Sequence, residues 1–399
     1  MTDTTEAEEL GAGPNTNVGS AANRSYQDAT GERLEQTLDL DSWDPAHRMA
    51  ERFDRLQSEI IEAQVREMET RRDIREQVFP ALAGMERAPA NAGIHEVELA
   101  DLREVQKALL FSGHVQAVDG ASVVHQSMPI TVVQTAIALA NYLGEHGTWA
   151  HRIFQKDVKV SGRTSLEQAM ALLAQRKASD EDDERGITDM LRRGLMAHAE
   201  LAVMARKADA SWRMGHGHPL PKELLTGAGI PELIELSIPL FEELLLEHRR
   251  FVYVPRSSTS RLLQTIGDAL MPLEYAIVED LDDYLAGVIG GKYGTGLFRR
   301  AKQRLDELQA DLKGEMVAGV FRVSPHSPSR VFYAHADHAA EAALVAMADA
   351  ILVEARGYPM LLDIAGNVCR EMFPPDALLK PVQAATTRFR TTHAEGESR

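Results

Sequence analysis

Short segments with strand character alternate with helical segments in the second half of the chain, and this alternation limits the possible folds most strongly. Residues 231–248 have helical spacing, and residues 251–255 follow with the aromatic and β-branched content of a buried strand. Residues 330–333 predict another strand, which helical segments follow up to residue 373. Strands that alternate with helices build a sheet covered by helices. The sequence therefore predicts an α/β fold with a mixed sheet flanked by helices.

The N-terminal part adds a helical extension to this fold. Residues 1–33 are rich in Thr, Glu, Gly, Asn and Ser with almost no large apolar residue, which predicts a disordered tail. Residues 44–80 predict one long amphipathic helix, with Asp44 as its N-cap and Pro45 as its first residue. Its apolar stripe consists of Met49, Phe53, Leu56, Ile60 and Ala63. The charged flanks of this stripe fit packing on the main domain and a coiled-coil partner equally well.

Composition limits the classes of protein and of site. The 399 residues are 44% hydrophobic and 26% charged, which is enough for a sizeable core. The single cysteine, Cys369, excludes a disulfide framework and a cysteine-based zinc site. No apolar run approaches the ~20 residues that span a bilayer, so we expect a cytoplasmic protein that does not enter a membrane. A net charge of -17 disfavours non-specific coating of nucleic acid, but it allows a DNA enzyme with a locally basic groove.

Two further segments are predicted to lie outside the folded core. Residues 144–189 contain the charged run 179–185, which predicts a solvated insertion. Residues 376–399 are predicted to form a C-terminal tail. The main domain is therefore expected within residues 100–375.

Two carboxylates could carry chemistry. Residues 114–118 form an apolar stretch that Asp119 and Gly120 close, which predicts a strand ending in a turn. The helical segment 190–208 carries Glu200. Carboxylates from separate elements are the ligands that Mg²⁺ and Mn²⁺ require. Taken alone, an Asp before Gly is more often a turn residue, and a Glu on a helix is more often simply solvated.

Five segments in a fixed order link these carboxylates to a known family. They are AVDGAS, LRRGLMAHAE, FVYVPRSSTSR, RVFYAHAD and RGYPMLLDIAG. In this order they resemble the NurA family of DNA-end-processing nucleases over about residues 100–375. The resemblance implies a ribonuclease H-like core, Mn²⁺- or Mg²⁺-dependent cleavage of DNA, and a homodimer. It also implies a partner, a hexameric HerA/FtsK-like ATPase that translocates DNA.

The resemblance also assigns roles to residues and reveals two departures from the family. It places the first metal-binding carboxylate at Asp119 and the helical glutamate at Glu200. The second aspartate of the family falls at His216, before Gly217. The late histidine of the family, eight residues after the tyrosine of a Tyr-Pro pair, falls at Gly366.

These departures leave three alternatives. Imidazole binds Mn²⁺, so His216 could replace the missing carboxylate. His335 and His338, which flank Asp337, could compensate for Gly366, although histidines of this kind are more often surface residues. The third alternative is a degenerate site in a scaffold that dimerises and docks on the ATPase. The leading prediction is a nuclease that processes DNA ends or foreign DNA, the latter as part of genome defence.

Basic residues supply the candidate contacts with DNA. After the strand 251–255, Arg256 could hold a phosphate through two hydrogen bonds. The full set of predicted DNA-binding residues is Arg250, Arg256, Arg261 and Tyr333. A second basic run at residues 299–304 is more often a solvated helix face. Candidate dimer surfaces are the apolar stripe from Met49 to Ile60 and the C-terminal helix with Leu361, Leu362 and Val368.

Overall fold

The computed structural model describes residues 26–28, 30–31, 33–43, 49–127, 130–144, 146–156, 179–258, 260–290 and 299–388. The chain divides into two units, residues 1–69 and residues 70–399. The first contains helix α1 (Leu34–Leu38) and most of helix α2 (Met49–Asp73). A π-turn (Ile74–Val78) and the short helix α3 (Phe79–Leu82) follow in the second unit. The predicted long helix is therefore present from Met49 onward, while Asp44, Pro45 and residues 1–25 of the predicted tail lie outside the described residues.

The second unit is built on one mixed sheet. In the described residues its strands are β1 (Gly93–Glu96), β2 (Val115–Ser127), β3 (Ile130–Ala140), β4 (His146–Lys156), β5 (Trp212–His216), β6 (Phe251–Val254), β7 (Glu274–Asp280), β8 (Met316–Arg322) and β9 (Arg330–His335). Their spatial order is β1-β7-β8-β9-β6-β5-β2-β3-β4. The α/β fold with a mixed sheet is confirmed.

The register of the central strands creates a notch in the sheet. Strands β2, β3 and β4 form an antiparallel meander, whereas β5 and β6 run parallel to β2. The pairing of β2 with β5 ends at Val118 and Gly215, but β2 continues along β3 for nine more residues, to Ser127. From Asp119 onward, none of the described strands pairs with the β5 side of β2.

Helices cover both faces of the sheet. The remaining helices are α4 (Leu99–Val105), α5 (Ser179–Arg206), α6 (Lys222–Leu225), α7 (Pro231–Phe241), α8 (Arg261–Asp268), α9 (Asp282–Ile289), α10 (Arg299–Asp311), α11 (Ala339–Ala350), α12 (Met360–Met372) and α13 (Pro375–Arg388). Successive strand residues point to opposite faces of the sheet and so belong to two hydrophobic cores. Phe251 and Tyr253 pack with α5 and α7, whereas Val252 and Val254 pack with α11 and α12. No described helix is both long and apolar enough to cross a bilayer.

Three details of the predicted organisation are wrong, each because tertiary contacts decide the local structure. The chain does not turn at Asp119 and Gly120, since both lie inside β2. The predicted insertion 144–189 contains β4, which pairs with β3 along its whole length, and the first turns of α5. Residues 157–178 lie outside the described residues. The predicted C-terminal tail begins with helix α13, and residues 389–399 are not described.

Candidate active site

Asp119 lies directly after the point where the pairing of β2 with β5 ends, and its carboxylate accepts hydrogen bonds from two groups. The side chain is only 1% exposed. Its Oδ1 atom accepts the backbone N–H of Gly120 at 2.9 Å. Its Oδ2 atom accepts a hydrogen bond from Nη2 of Arg256 at 2.5 Å. A buried carboxylate in β2 is thus paired with one guanidinium.

Glu200 reaches the same point from helix α5, on the other face of the sheet. The backbone N–H of Gly120 is directed at its carboxylate as well as at Asp119. A methyl group on Gly120 would lie 2.5 Å from Oε1 of Glu200 and 2.8 Å from Cδ1 of Ile137. Glycine is therefore needed at position 120 because Glu200 packs against the strand there. The Asp-Gly pair that predicted a turn in fact allows two carboxylates to meet.

The environment of Glu200 favours its neutral form. Burial raises its pKa to about 8, and the charge of Asp119 adds to this rise. The Gly120 N–H and the Arg256 guanidinium act in the opposite direction. A buried carboxyl whose pKa is raised by burial and by a neighbouring carboxylate marks a candidate functional site.

Arg256 is placed by the loop that follows β6. Its carbonyl oxygen accepts a hydrogen bond from Nη1 of Arg330 at 3.0 Å, which fixes the backbone of the loop. The Arg256 side chain remains 35% exposed, in contrast to the buried carboxylate that it contacts. Arg256 therefore closes the site on its solvent side.

Gly366 on α12 stands at the position where the family resemblance places a histidine, and its surroundings leave no room for a side chain. A methyl group at Gly366 would overlap Oδ2 of Asp119 and lie 2.8 Å from Nη2 of Arg256. The space beside Asp119 is thus filled by the Arg256 guanidinium. The Arg256 guanidinium can pack beside Asp119 because residue 366 is a glycine.

His216 ends β5 at the level of Asp119, and Gly217 follows it with φ +86°. Its Nδ1 atom lies 3.2 Å from the hydroxyl of Tyr358, which donates to the carbonyl of Val254 at 3.3 Å. Burial lowers the pKa of His216, so the ring is neutral at pH 7. A neutral imidazole has a lone pair for a metal ion.

A second layer of charged side chains surrounds Tyr358. The guanidinium carbons of Arg330 and Arg356 lie 5.6 and 5.7 Å from the centre of its ring. Arg356 also forms an ion pair with Asp363. Sequence reasoning missed Arg330 and Arg356 as site residues. The sequence signal for Arg356 is its position in the Arg-Gly-Tyr-Pro segment, two residues before Tyr358.

The other predicted site residues lie elsewhere. His335, at the end of β9, is level with Phe251 at the start of β6, about 10 Å along the sheet from the level of Val254. It contacts Glu315 and Asp337, so the structure does not place it in the gap beside Gly366. The predicted partner His338 pairs instead with Glu341 at 2.9 Å.

The predicted DNA-binding residues are similarly divided. Arg256 lies in the site, and Arg261 begins α8 after the same loop with an exposed side chain. Arg250 precedes β6 and thus lies at the opposite end of that strand. Tyr333 is 9% exposed and packs against the ring of His218 at 4.5 Å. Two of the four residues therefore lie on the side where Asp119 is found.

No protein-family model matches the chain. No curated protein sequence matches it either. Solved structures to which the chain is similar include structures of NurA.

The NurA nuclease from Sulfolobus solfataricus shares 11% identity, with 79% of this chain and 95% of that chain covered and a TM-score of 0.41. A second NurA structure gives 10% identity, coverage of 71% and 94%, and a TM-score of 0.41. A NurA structure bound to dAMP and manganese gives 12% identity, coverage of 67% and 90%, and a TM-score of 0.35. The likeness to NurA is distant, and the function proposed below rests on this chain's own residues.

Proposed function

We propose that this protein is a NurA-like, metal-dependent DNA nuclease that processes DNA ends or foreign DNA together with a HerA-type hexameric ATPase. The observation that carries the proposal is the meeting of Asp119 and Glu200 at the N–H of Gly120, with His216 at the same level of the sheet. Carboxylates converging from a strand and a helix are the usual basis of a site for hydrolysis of phosphodiesters by divalent metals.

The strand order supports a ribonuclease H-like core within the larger sheet. In the order β4-β3-β2-β5-β6, a three-stranded antiparallel meander is extended by two strands parallel to its first strand. In this arrangement Asp119 lies on the central strand, where the parallel neighbour ends. The remaining strands, β9, β8, β7 and β1, extend the sheet by antiparallel pairing.

The residues of the site fit Mn²⁺ or Mg²⁺. Two carboxylates supply hard oxygen ligands, and the imidazole of His216 favours Mn²⁺ over Mg²⁺. The raised pKa of Glu200 fits as well, because added positive charge would ionise this buried carboxyl. When bound, the cation would activate water and neutralise charge on the phosphate oxygens.

Arg256 sets a condition on that fit. Its guanidinium occupies Oδ2 of Asp119, so a cation can use this oxygen only after Arg256 withdraws. A DNA phosphate is a natural acceptor for the released guanidinium, since Arg binds phosphates through paired hydrogen bonds. Arg256 therefore keeps Asp119 paired in the free protein and binds the DNA backbone in the complex. Arg261 and Arg356, both exposed, extend this basic rim.

Partner surfaces are part of the same proposal. A homodimer would use helix α2, on which Ile60, Ile61, Val65 and Met68 are between 47% and 69% exposed. The side chains of Met49, Phe53 and Leu56 lie outside the described residues. The predicted dimer surface on α12 is wrong for Leu361 and Leu362, because both side chains are fully buried against the sheet.

A second candidate function is favoured by the same ion pair. If Arg256 never leaves Asp119, the site cannot bind a cation, and the protein is a scaffold that dimerises and docks on the ATPase. The glycine at 366 and the histidine at 216 fit this alternative, because a site with a permanent internal cation needs fewer ligands.

The decisive experiment measures release of labelled nucleotides from linear single- and double-stranded DNA with Mn²⁺, Mg²⁺ or EDTA. The proteins are wild type, Asp119→Asn and Asp306→Asn, the last a matched control because Asp306 is an exposed carboxylate on α10. The nuclease predicts metal-dependent cutting by wild type and the control, and loss of at least about 100-fold in Asp119→Asn. Absence of cutting by all three, with and without the ATPase, would establish the scaffold.

A further inference from the structure

A second group of potential metal ligands lies at the other end of the sheet from Asp119. Glu315 precedes β8, His335 ends β9, and Asp337 follows two residues later. One potential ligand atom from each residue lies within 4.8 Å of the other two. Ligand atoms around one cation with bonds of about 2.1 Å are at most about 4.2 Å apart, so small side-chain movements suffice to close the group.

Backbone pairing holds these three residues together. His335 is the register partner of Met316 in the antiparallel pair of β8 and β9. The N–H of Ala336 donates to the carbonyl of Glu315 at 2.7 Å. A 3₁₀ turn, Ala336–His338, then places Asp337 beside the ring of His335, and α11 begins directly after it. The ligands are thus fixed by the sheet and not by a free loop.

The ring of His335 carries the independent observation. The residue is fully buried, and its Nε2 atom makes no hydrogen bond of acceptable geometry with any described residue. Yet Nε2 lies 3.0 Å from Oε2 of Glu315. A close but misaligned contact is poor as a hydrogen bond. It matches the separation of two neighbouring ligands on one cation, which is about 3 Å for bonds of about 2.1 Å at right angles.

We propose that Glu315 and His335 bind one divalent transition-metal cation, with the carboxylate of Asp337 behind the His335 ring. Imidazole combined with carboxylates suits Zn²⁺ or Mn²⁺ better than Mg²⁺ or Ca²⁺, which prefer oxygen ligands alone. The cation would join the end of the β8–β9 pair to the start of α11, which is a structural role. This site is independent of the proposed nuclease centre, because no residue is shared.

The second nitrogen of His335 shows how the ring is oriented. In this structure Nδ1 accepts the backbone N–H of Asp337 at 3.2 Å. A cation on Nε2 requires the ring proton on Nδ1, so this contact opens. The Asp337 carboxylate, whose Oδ2 atom is 3.7 Å from Nδ1, then accepts a hydrogen bond from the Nδ1–H group. A carboxylate behind a metal-bound histidine is a common arrangement, and it fixes the tautomer.

Arg249 lies beside the proposed cation site, and its removal should strengthen cation binding, whereas removal of a ligand should weaken it. Its Nη1 atom donates to Oδ2 of Asp337 at 3.1 Å, so it competes for that carboxylate and adds positive charge. Arg249→Gln should therefore tighten cation binding about 3-fold to 10-fold. Glu315→Gln should weaken it at least 10-fold, since an amide is a poorer ligand than a carboxylate.

The test is titration of Zn²⁺ into the apo protein by calorimetry, with Mg²⁺ as the comparison cation. The background is Asp119→Asn with Glu200→Gln, which removes the carboxylates of the nuclease centre. Within this background Glu315→Gln and Arg249→Gln are compared with Glu341→Gln. The last is a matched control, because Glu341 is an exposed carboxylate near the site that pairs with His338.

The site predicts one Zn²⁺ per chain in the background, lost in Glu315→Gln, tightened in Arg249→Gln and unchanged in Glu341→Gln. Lack of Zn²⁺ binding, or binding that Glu315→Gln leaves intact, would overturn the proposal. If the background variant does not fold, the same single variants in the wild-type chain should lower the stoichiometry by one for Glu315→Gln alone. Failure of the nuclease assay leaves these outcomes unaffected, so the two proposals are separable.

Discussion

The guanidinium of Arg256 lies 2.5 Å from Oδ2 of Asp119, on the oxygen that a catalytic cation would need. Asp119 is buried, whereas Arg256 is one-third exposed. Asp119 is fixed within strand β2, whereas Arg256 lies in the loop after β6, so the Arg256 side chain is the partner that can move. In the proposed nuclease, this asymmetry would couple the binding of an external anion at Arg256 to the binding of a cation at Asp119.

Removing the guanidinium should expose that coupling. Arg256→Gln leaves a buried carboxylate without its charged partner, and losses of this kind destabilise a protein by about 3–5 kcal/mol. Mn²⁺ should offset more of this loss in the variant than it adds to wild type, because the cation replaces the missing charge. Thermal midpoints in EDTA and in Mn²⁺ measure the effect. Equal Mn²⁺-induced shifts in the two proteins would contradict the account.

Gly366 and Arg256 should behave as a coupled pair in a double-mutant cycle. Gly366→Ala places a methyl group against Asp119 and Arg256, and overpacking typically destabilises by about 1–3 kcal/mol. In an Arg256→Ala background the same methyl group finds free space on the guanidinium side, so its effect should shrink. Urea unfolding of the four proteins gives the coupling energy. Additive effects would show that the two positions are independent.

Glu200 should make stability depend on pH in the absence of metal. Its folded pKa of about 8 exceeds the ordinary value of 4.5, so the folded protein keeps a proton that the unfolded chain has released. The contribution of this group to stability is therefore full below about pH 4.5 and is lost as the pH rises to about 8. The ionisable groups that interact with Glu200 include Asp119, Arg256, the Tyr253 hydroxyl and the Cys369 thiol.

Glu200→Gln isolates that dependence because every neighbour stays the same. The variant and wild type should have similar free energies of unfolding near pH 5, and the variant should be the more stable at pH 8.5 in EDTA. Chemical denaturation at the two pH values measures the difference. A difference that does not change with pH would contradict the raised pKa.

The sequence predicted the layers of the fold well, and it failed where contacts distant in the chain decide local structure. The strand 251–255 and the helix 231–248 were predicted correctly because their side-chain patterns reflect burial. Asp119-Gly120 was predicted to turn because that pair favours turns. The structure shows that Gly120 is required by Glu200, eighty residues away, and no local pattern contains that information.

The site was predictable as a set of carboxylates but not as an arrangement. Asp119, Glu200 and His216 were each identified from the sequence, and the structure brings them to one level of the sheet. Arg256 was predicted to hold a phosphate, whereas in the free protein it holds Asp119. That pairing depends on the loop position fixed by Arg330, which is 74 residues further along the chain.

Binding of Mn²⁺ in the presence of a short phosphorothioate oligonucleotide, which resists cleavage, tests the central claim most directly. Calorimetry on wild type and Asp119→Asn, with and without the oligonucleotide, separates the two ligands. The account predicts that the oligonucleotide tightens Mn²⁺ binding in wild type, because Arg256 transfers to a phosphate, and that Asp119→Asn weakens that binding about 10-fold to 100-fold. Equal Mn²⁺ affinity in both proteins, whether or not the oligonucleotide is bound, would contradict a metal centre at Asp119.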